Sequence, residues 1–89
     1  MAILFQGIAR RLIGNFAAAI EVLQPLSESC PDAPFVHLQL GLALRESKMQ
    51  DAAIDSMRRA VSVKPDFAEA WLALADLLVL MGEAKAADD

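Results

Sequence analysis

The sequence repeats itself with a period of 34 residues, and this period constrains the fold more than any other feature of the chain. A shift by one period places small residues on small residues and proline on proline. The matching sets are Gly7 with Gly41 and Ala75, Ala19 with Ala53 and Ala87, Ile20 with Ile54, and Pro31 with Pro65. Such a period is typical of a structural unit that packs against neighbouring units of the same kind.

Within each period the apolar residues follow a helical spacing. Ile54, Met57 and Val61 recur at intervals of three and four residues, and charged residues occupy the opposite side of the same segment. Residues 35–44 carry apolar positions on more than one stripe, as expected of a helix packed on two sides. No segment shows the period-2 pattern of a strand. The sequence therefore predicts an all-α fold of antiparallel helix pairs.

Glycine, proline and capping residues predict where the helices begin and end. We expect Gly14 and Gly82 to separate consecutive helices, and Pro34 to lie in a first turn, where its missing N–H costs nothing. Asp66 is expected to cap the helix that follows it. Pro25 is expected to bend its helix or to fray it early.

Length and composition exclude several classes of protein. The chain has 89 residues, 56% of them hydrophobic, which predicts one folded domain rather than a disordered chain. A formal net charge of −4 argues against a general nucleic-acid binder. Wholly apolar stretches are short: 77–81 has five residues, and no stretch exceeds the six of 70–75. Because a bilayer span needs roughly 18–20 such residues, no membrane-spanning segment is predicted.

Few residues could carry chemistry. The four glycines are isolated, so the chain lacks a phosphate-binding loop motif. Cys30 and His37 are the single cysteine and histidine, too few to ligate zinc within one chain. Either Cys30 or Ser29 could pair with His37 as nucleophile and base, but no acid would orient the imidazole. We predict no catalytic residue, no metal site and no cofactor, hence no enzyme, and a reducing, cytoplasmic location.

These residues resemble the tetratricopeptide repeat family, whose 34-residue unit is a pair of antiparallel helices. The second unit, 34–67, carries Gly41, Ala53, Ala60 and Pro65 where the family has small residues and proline. It departs from the family with His37 in place of tryptophan, and with Lys48 where a turn glycine is common. The resemblance implies a single domain, 1–89, built as a right-handed solenoid of about two and a half repeats: 1–33, 34–67 and an incomplete 68–89.

The resemblance also implies a binding surface, the concave side lined by the first helix of each unit. The expected partner-binding residues are Leu4, Ile8, Arg11, Phe35, Leu38, Gln39, Leu42, Arg45, Leu72 and Asp76. Arg11 and Arg45 lie one period apart and could together hold an anion, although two solvated arginines over apolar neighbours are the more common arrangement. Chaperone-binding relatives hold a peptide carboxylate with lysine and asparagine, and the corresponding positions here are Leu4, Ile8, Gln39, Glu69 and Ala73. Such a clamp is therefore not predicted.

The predicted function is a non-catalytic protein–protein interaction or scaffolding module that binds a partner peptide or helix in an apolar groove. One alternative is the N-terminal repeat part of a larger enzyme, because residues 64–76 resemble segments that precede the catalytic domain of bacterial sulfotransferases with such repeats. Another is a homodimeric assembly module joined through the incomplete third unit. That unit would leave parts of four side chains uncovered, Trp71, Leu74, Leu77 and Leu78.

Overall fold

The computed structural model describes the backbone of residues 2–88, and the side chains of residue 4 and of residues 6–82. This part of the chain contains five helices and no strand, so the predicted all-α class is confirmed. The helices are α1 (Ala2–Leu12), α2 (Phe16–Ser29), α3 (Pro34–Glu46), α4 (Gln50–Val63) and α5 (Ala68–Asp88).

The helices stack in chain order. Each helix contacts the next, and α3 also contacts both α1 and α5. The three odd-numbered helices therefore share one side of the molecule, and α2 and α4 form the other. The resulting particle is elongated, with principal extents of 44 × 29 × 18 Å.

Two glycines let the helices of each pair approach closely, and they lie one period apart. A Cβ atom at Gly7 would lie 2.5 Å from Cδ2 of Leu23, and one at Gly41 would lie 2.8 Å from Cε of Met57. Leu23 and Met57 are themselves one period apart, and both are fully buried. The repeat in the sequence is thus a repeat of one packing contact, which a larger residue would prevent.

The turns after α1 and α3 also share one geometry. Gly14 and Lys48 both have positive φ, 89° and 67°. The amide N of Asn15 donates to the carbonyl of Arg10 at 2.9 Å, and the amide N of Met49 donates to the carbonyl of Leu44 at 2.8 Å. These bonds close the helix ends in the pattern that normally uses a glycine in the left-handed conformation. At residue 48 a lysine carries that conformation instead.

Helix starts follow the prediction at one position and depart from it at another. Pro34 lies at the first turn of α3, as predicted. The predicted cap by Asp66 is wrong, because α5 begins at Ala68 and the residue before it is Phe67, whose carbonyl accepts from the amide N of Trp71 at 3.1 Å.

The predicted turn at Gly82 is wrong, because α5 runs without a break from Ala68 to Asp88. No atom lies within 4 Å of the place where a Cβ of Gly82 would be, so no packed neighbour turns the chain there. The segment 83–87 consists of glutamate, lysine and alanine, all strong helix formers. A single glycine costs about 1 kcal/mol in a helix, which is too little to end it.

Early fraying at Pro25 is also wrong, since α2 continues to Ser29. A proline inside a helix removes the bond from its own nitrogen to the carbonyl four residues earlier, here that of Glu21. Both Glu21 and Pro25 are exposed, so water can reach the carbonyl that has lost its partner.

Candidate binding groove

We call the side formed by α1, α3 and α5 the groove. Four of the ten expected binding residues meet in one pocket of about 370 Å³, which we call the first pocket. These four are Leu4, Ile8, Phe35 and Gln39; the rest of the lining is Leu26, Cys30, Ala33, Pro34 and Val36. The lining contains no charged side chain. It lies where the start of α3 faces α1 and the end of α2.

Phe35, which lines the first pocket, belongs to an aromatic pair. The Phe35 ring, which is half exposed, lies with its centroid 4.9 Å from that of the buried Phe67 at an interplanar angle of 60°. The Lys64 Nζ lies 5.6 Å from the Phe35 centroid and 5.2 Å from the Phe67 centroid, within range of a cation–π contact. Lys64 therefore places a positive charge beside Phe35, which lines the pocket, while Lys64 itself is not part of the lining.

Arg11 joins α1 to α3 across the groove. Its Nε donates to Oε1 of Gln39 at 3.1 Å, and a terminal guanidinium nitrogen lies 3.3 Å from Oε1 of Glu46. The arginine side chain is only 16% exposed. It is thus held by two groups of α3, and the salt bridge already neutralises much of its charge.

Arg45 lies in a second pocket, away from Arg11. This second pocket, of about 340 Å³, is lined by Arg45 and Asp76, both expected binding residues, and by Val79 and Leu80. Val79 is exposed although it is apolar. The second pocket therefore combines a cation, an anion and two apolar side chains between α3 and α5.

The remaining three expected residues differ in exposure. Leu38 is 3% exposed and belongs to the hydrophobic core, so its side chain does not reach the groove surface. Leu42 is partly buried and packs against the core, whereas Leu72 is 68% exposed. Leu38 and Leu72 occupy the same position of the period. Because α3 has helices on both sides and α5 has a contact only with α3 and α4, the same position is covered in one helix and open in the other.

One whole face of α5 shows the same contrast with α3. His37, Leu38, Gly41 and Leu44 are buried, whereas the residues one period later, Trp71, Leu72, Ala75 and Leu78, are exposed. Of these four α3 residues, Gly41 approaches Met57 and Ala53 of α4. Leu74 and Leu77, which were expected to be partly uncovered, are buried in the core.

His37 and Trp71 make the same hydrogen bond one period apart. The indole Nε1 of Trp71 donates to the carbonyl of Pro65 at 2.7 Å, and Nε2 of His37 lies 2.8 Å from the carbonyl of Pro31. A carbonyl can only accept, so Nε2 of His37 carries a proton and donates it. Nδ1 is buried and has no hydrogen-bond partner. The histidine thus replaces a tryptophan structurally.

This geometry leaves no nucleophile–base pair at His37, since neither ring nitrogen bonds to Ser29 or Cys30. Within residues 4 and 6–82, no three histidine, cysteine, aspartate or glutamate side chains lie close enough together to hold a metal ion. No helix in the part of the chain that the structure describes combines the length and apolar character needed to cross a membrane.

The first pocket owes three lining residues, Cys30, Ala33 and Leu26, to the end of α2 and the following turn, which the expected binding set omits. The second pocket adds Val79 and Leu80. The period carried a signal for one of them, because Val79 lies one period after Arg45. The end of α2 gave no such signal, because the expected set was restricted to the first helix of each unit.

Comparison with known proteins agrees with the period and the stacking. A family model described as a tetratricopeptide repeat matches residues 34–77, which include α3, α4 and the first half of α5. No protein with a curated description matches the chain.

Proposed function

Because this chain is a tetratricopeptide repeat protein, we propose that it is a protein-interaction module whose groove binds a peptide or helical segment of a partner protein. Repeat proteins of stacked helices commonly bind partners on the extended surface that one helix of each unit forms. The proposal assigns no catalytic step to the chain.

One observation carries this proposal: apolar side chains of α3 and α5 are exposed, and two of them, Phe35 and Val79, line the pockets of the groove. Phe35, Leu72 and Val79 are each about half exposed or more. Covering apolar surface contributes about 25 cal/mol per Å², part of which offsets the entropy lost on association. A partner that covered these three side chains would gain binding energy without any rearrangement of the core.

Polar groups between the apolar side chains give the groove its means of selecting a partner. Arg45 and Asp76 lie in the second pocket beside Val79, so a partner side chain of either charge meets a complementary group there. Gln39 lines the first pocket and its amide oxygen is already bonded to Arg11, which leaves its amide N–H groups for a partner carbonyl.

The test uses peptides selected for binding from a random peptide library displayed on phage. Leu72→Asp and Val79→Asp should each weaken these peptides about tenfold or more, since both place a charge under a buried apolar contact. Ile13→Asp is the matched control, because Ile13 is strongly exposed in the turn after α1. Fluorescence anisotropy measures the affinity, and the circular dichroism spectrum shows that each variant folds. Equal affinity in all three variants would remove the groove from the binding surface.

A second candidate is a homodimer in which a second copy covers the exposed face of α5. Trp71 is 48% exposed, whereas His37 one period earlier is 2% exposed beneath α4. A second copy of α5 could cover this face with two-fold symmetry. Sedimentation equilibrium distinguishes the candidates: a dimer has twice the monomer mass of 9.6 kDa, and Leu78→Glu should return it to a monomer. A chain that stays monomeric at high concentration would reject the dimer.

A further inference from the structure

The first pocket lies one period away from a place in the fold where an aromatic ring is already buried. Ala33 and Cys30, which line the pocket, correspond to Phe67 and Lys64. Phe67 is 5% exposed and belongs to the core. The interface between the second and third units, which we call the second interface, contains the phenyl ring of Phe67. The interface between the first and second units has only the methyl group of Ala33 at the corresponding position.

The rest of the lining corresponds residue by residue. Leu4 and Ile8 lie one period before Leu38 and Leu42, and Leu26 lies one period before Ala60. Leu38, Ala60 and Phe67 belong to one core cluster, and Leu42 packs against it. The residues around the first pocket are therefore the counterparts of those that pack with a phenyl ring in the second interface. The Phe67 ring has only the methyl group of Ala33 as its counterpart, whereas Leu26 is larger than its counterpart Ala60.

We propose that the first pocket binds the phenyl ring of a phenylalanine that a partner peptide presents next to a carboxylate. This inference rests on the proposed function and names the anchor side chain of that partner. The volume of about 370 Å³ is within the range of small-ligand sites, roughly 300–1,000 Å³. An apolar lining favours a ring over a polar side chain, and Phe35 offers an aromatic wall for it.

The positive charge of Lys64 near the pocket determines which chemical group the partner should carry next to its phenyl ring. Lys64 lies against Phe35, and among the residues whose side chains are described the only salt bridge joins Arg11 to Glu46. The pocket lining contains no carboxylate that would repel an anion. A carboxylate held at the edge of the pocket next to Phe35 would lie near the Lys64 ammonium group, which lies outside the lining and forms no salt bridge with an acidic side chain of the described region.

The pocket contains its own reporter, because Cys30 is the only cysteine of the chain and lines the pocket while partly exposed. The probe is N-acetyl-L-phenylalanine, with its amide, N-acetyl-L-leucine and N-acetyl-L-alanine as comparisons. We expect saturable protection of Cys30 from alkylation by iodoacetamide, with the phenylalanine probe binding about tenfold more tightly than the leucine probe. If the leucine and alanine probes protect Cys30 as well as the phenylalanine probe does, the proposal is overturned.

Ala33→Phe should close the pocket from inside the chain. Residue 33 has φ −99° and ψ 97°, an extended conformation open to any residue, so the ring can enter without backbone strain. The variant should no longer bind the probe, and iodoacetamide should alkylate its Cys30 more slowly than that of the wild type. Ala17→Phe, on the exposed side of α2, is the matched control and should behave as the wild type. Unchanged probe binding in Ala33→Phe would place the site elsewhere.

Two further measurements keep the proposal testable if Ala33→Phe fails to fold. In the wild-type chain the methyl NMR signals of Ile8 and Leu26 should shift with the probe while those of Leu72 stay, and the reverse pattern would overturn the proposal. Lys64→Met should reduce the preference for the free carboxylate over the amide probe and leave amide binding unchanged. An unaltered preference would reject the role of Lys64.

The outcome for the pocket is separable from the outcome for the groove. Leu72→Asp lies outside the pocket lining, so it should weaken the selected library peptides and leave the phenylalanine probe unaffected. If the library peptides bind independently of Leu72 and Val79 while the probe still binds, the role of Leu72 and Val79 in partner binding is rejected and the pocket proposal stands. If the probe fails to bind while peptide binding depends on Leu72, the pocket proposal is rejected and the proposed groove function stands.

Discussion

Gly7→Ala tests the close approach of α1 and α2. The new Cβ would lie 2.5 Å from Cδ2 and 2.6 Å from Cγ of Leu23, whereas carbon atoms in contact normally lie about 3.5–4.0 Å apart. Cγ is the branch point of the side chain, so rotation about χ2, which moves only the Cδ atoms, does not remove the overlap. Leu23 is fully buried and has no open space to move into. Either the leucine or the whole of α1 must shift by about 1 Å.

The expected cost is the difference between two terms. Overpacking costs about 1–3 kcal/mol, and an overlap with two atoms of a buried side chain belongs in the upper part of that range, about 2–3 kcal/mol. Replacing a helical glycine by alanine returns about 1 kcal/mol. We therefore expect Gly7→Ala to lower the free energy of unfolding by about 1–2 kcal/mol. For a chain of this size that corresponds to a decrease in Tm of about 5–15 °C.

The control is the same substitution at Gly82, which lies inside α5 with nothing near its Cβ direction. Gly82→Ala has only the helix-propensity term, so it should stabilise by up to about 1 kcal/mol. Urea unfolding followed by circular dichroism at 222 nm gives both values. In a double mutant with Leu23→Ala, which makes room, Gly7→Ala should no longer destabilise. A Gly7→Ala protein as stable as the wild type would refute the close approach.

Three further changes test other details of the fold by the same urea titration. Lys48→Gly should stabilise by about 0.5–1 kcal/mol, because residue 48 has a φ of 67°, which costs a side chain energy; Lys48→Ala removes the charge but keeps the Cβ and should give no gain. His37→Trp should stabilise by about 1–2 kcal/mol, because it keeps the N–H that reaches the Pro31 carbonyl and removes the unpartnered Nδ1; a neighbouring pocket of about 340 Å³ has room for the larger ring, and a loss of stability would contradict this. Arg11→Met should cost less than about 1 kcal/mol, since the salt bridge with Glu46 is part-exposed, and a loss that does not shrink at high salt would contradict the ionic origin.

The helix pairs and their contact points could be predicted from the sequence because residues one period apart make the same packing contact in successive units. Gly41 recurs one period after Gly7 because each stands opposite a large buried side chain, Leu23 or Met57. Pro34 marks the start of α3 because its missing N–H is tolerated only in a first turn. Signals of this kind depend on local geometry, and each unit supplies that geometry for itself.

The features that the sequence could not predict depend on neighbours outside one unit. Leu38 and Leu72 have the same place in the period, yet one is in the core and the other open, because α3 contacts helices before and after it, whereas α5 contacts only α3 and α4. Gly82 has the same place as Gly14, yet it continues a helix because nothing packs beside it. The same residue position therefore forms core or surface according to how many helices surround it.

The first pocket was hidden for a related reason. Its shape depends on Ala33, a small residue in a turn, whose importance is visible only beside the buried ring of Phe67 one period later. The expected binding set listed the side chains that project from the first helices. A pocket that results from a small residue, here Ala33, is not indicated by the spacing of large side chains in the sequence.

Partner binding at the side formed by α1, α3 and α5 can be mapped on the ¹⁵N-labelled chain by the chemical-shift changes that a peptide selected from the random library causes. The largest changes should fall at Gln39, Leu72 and Val79, with little change at exposed positions of α2 and α4 such as Ala17 and Arg58. Shifts concentrated on α2 and α4, with the groove residues unchanged, would contradict binding at this side.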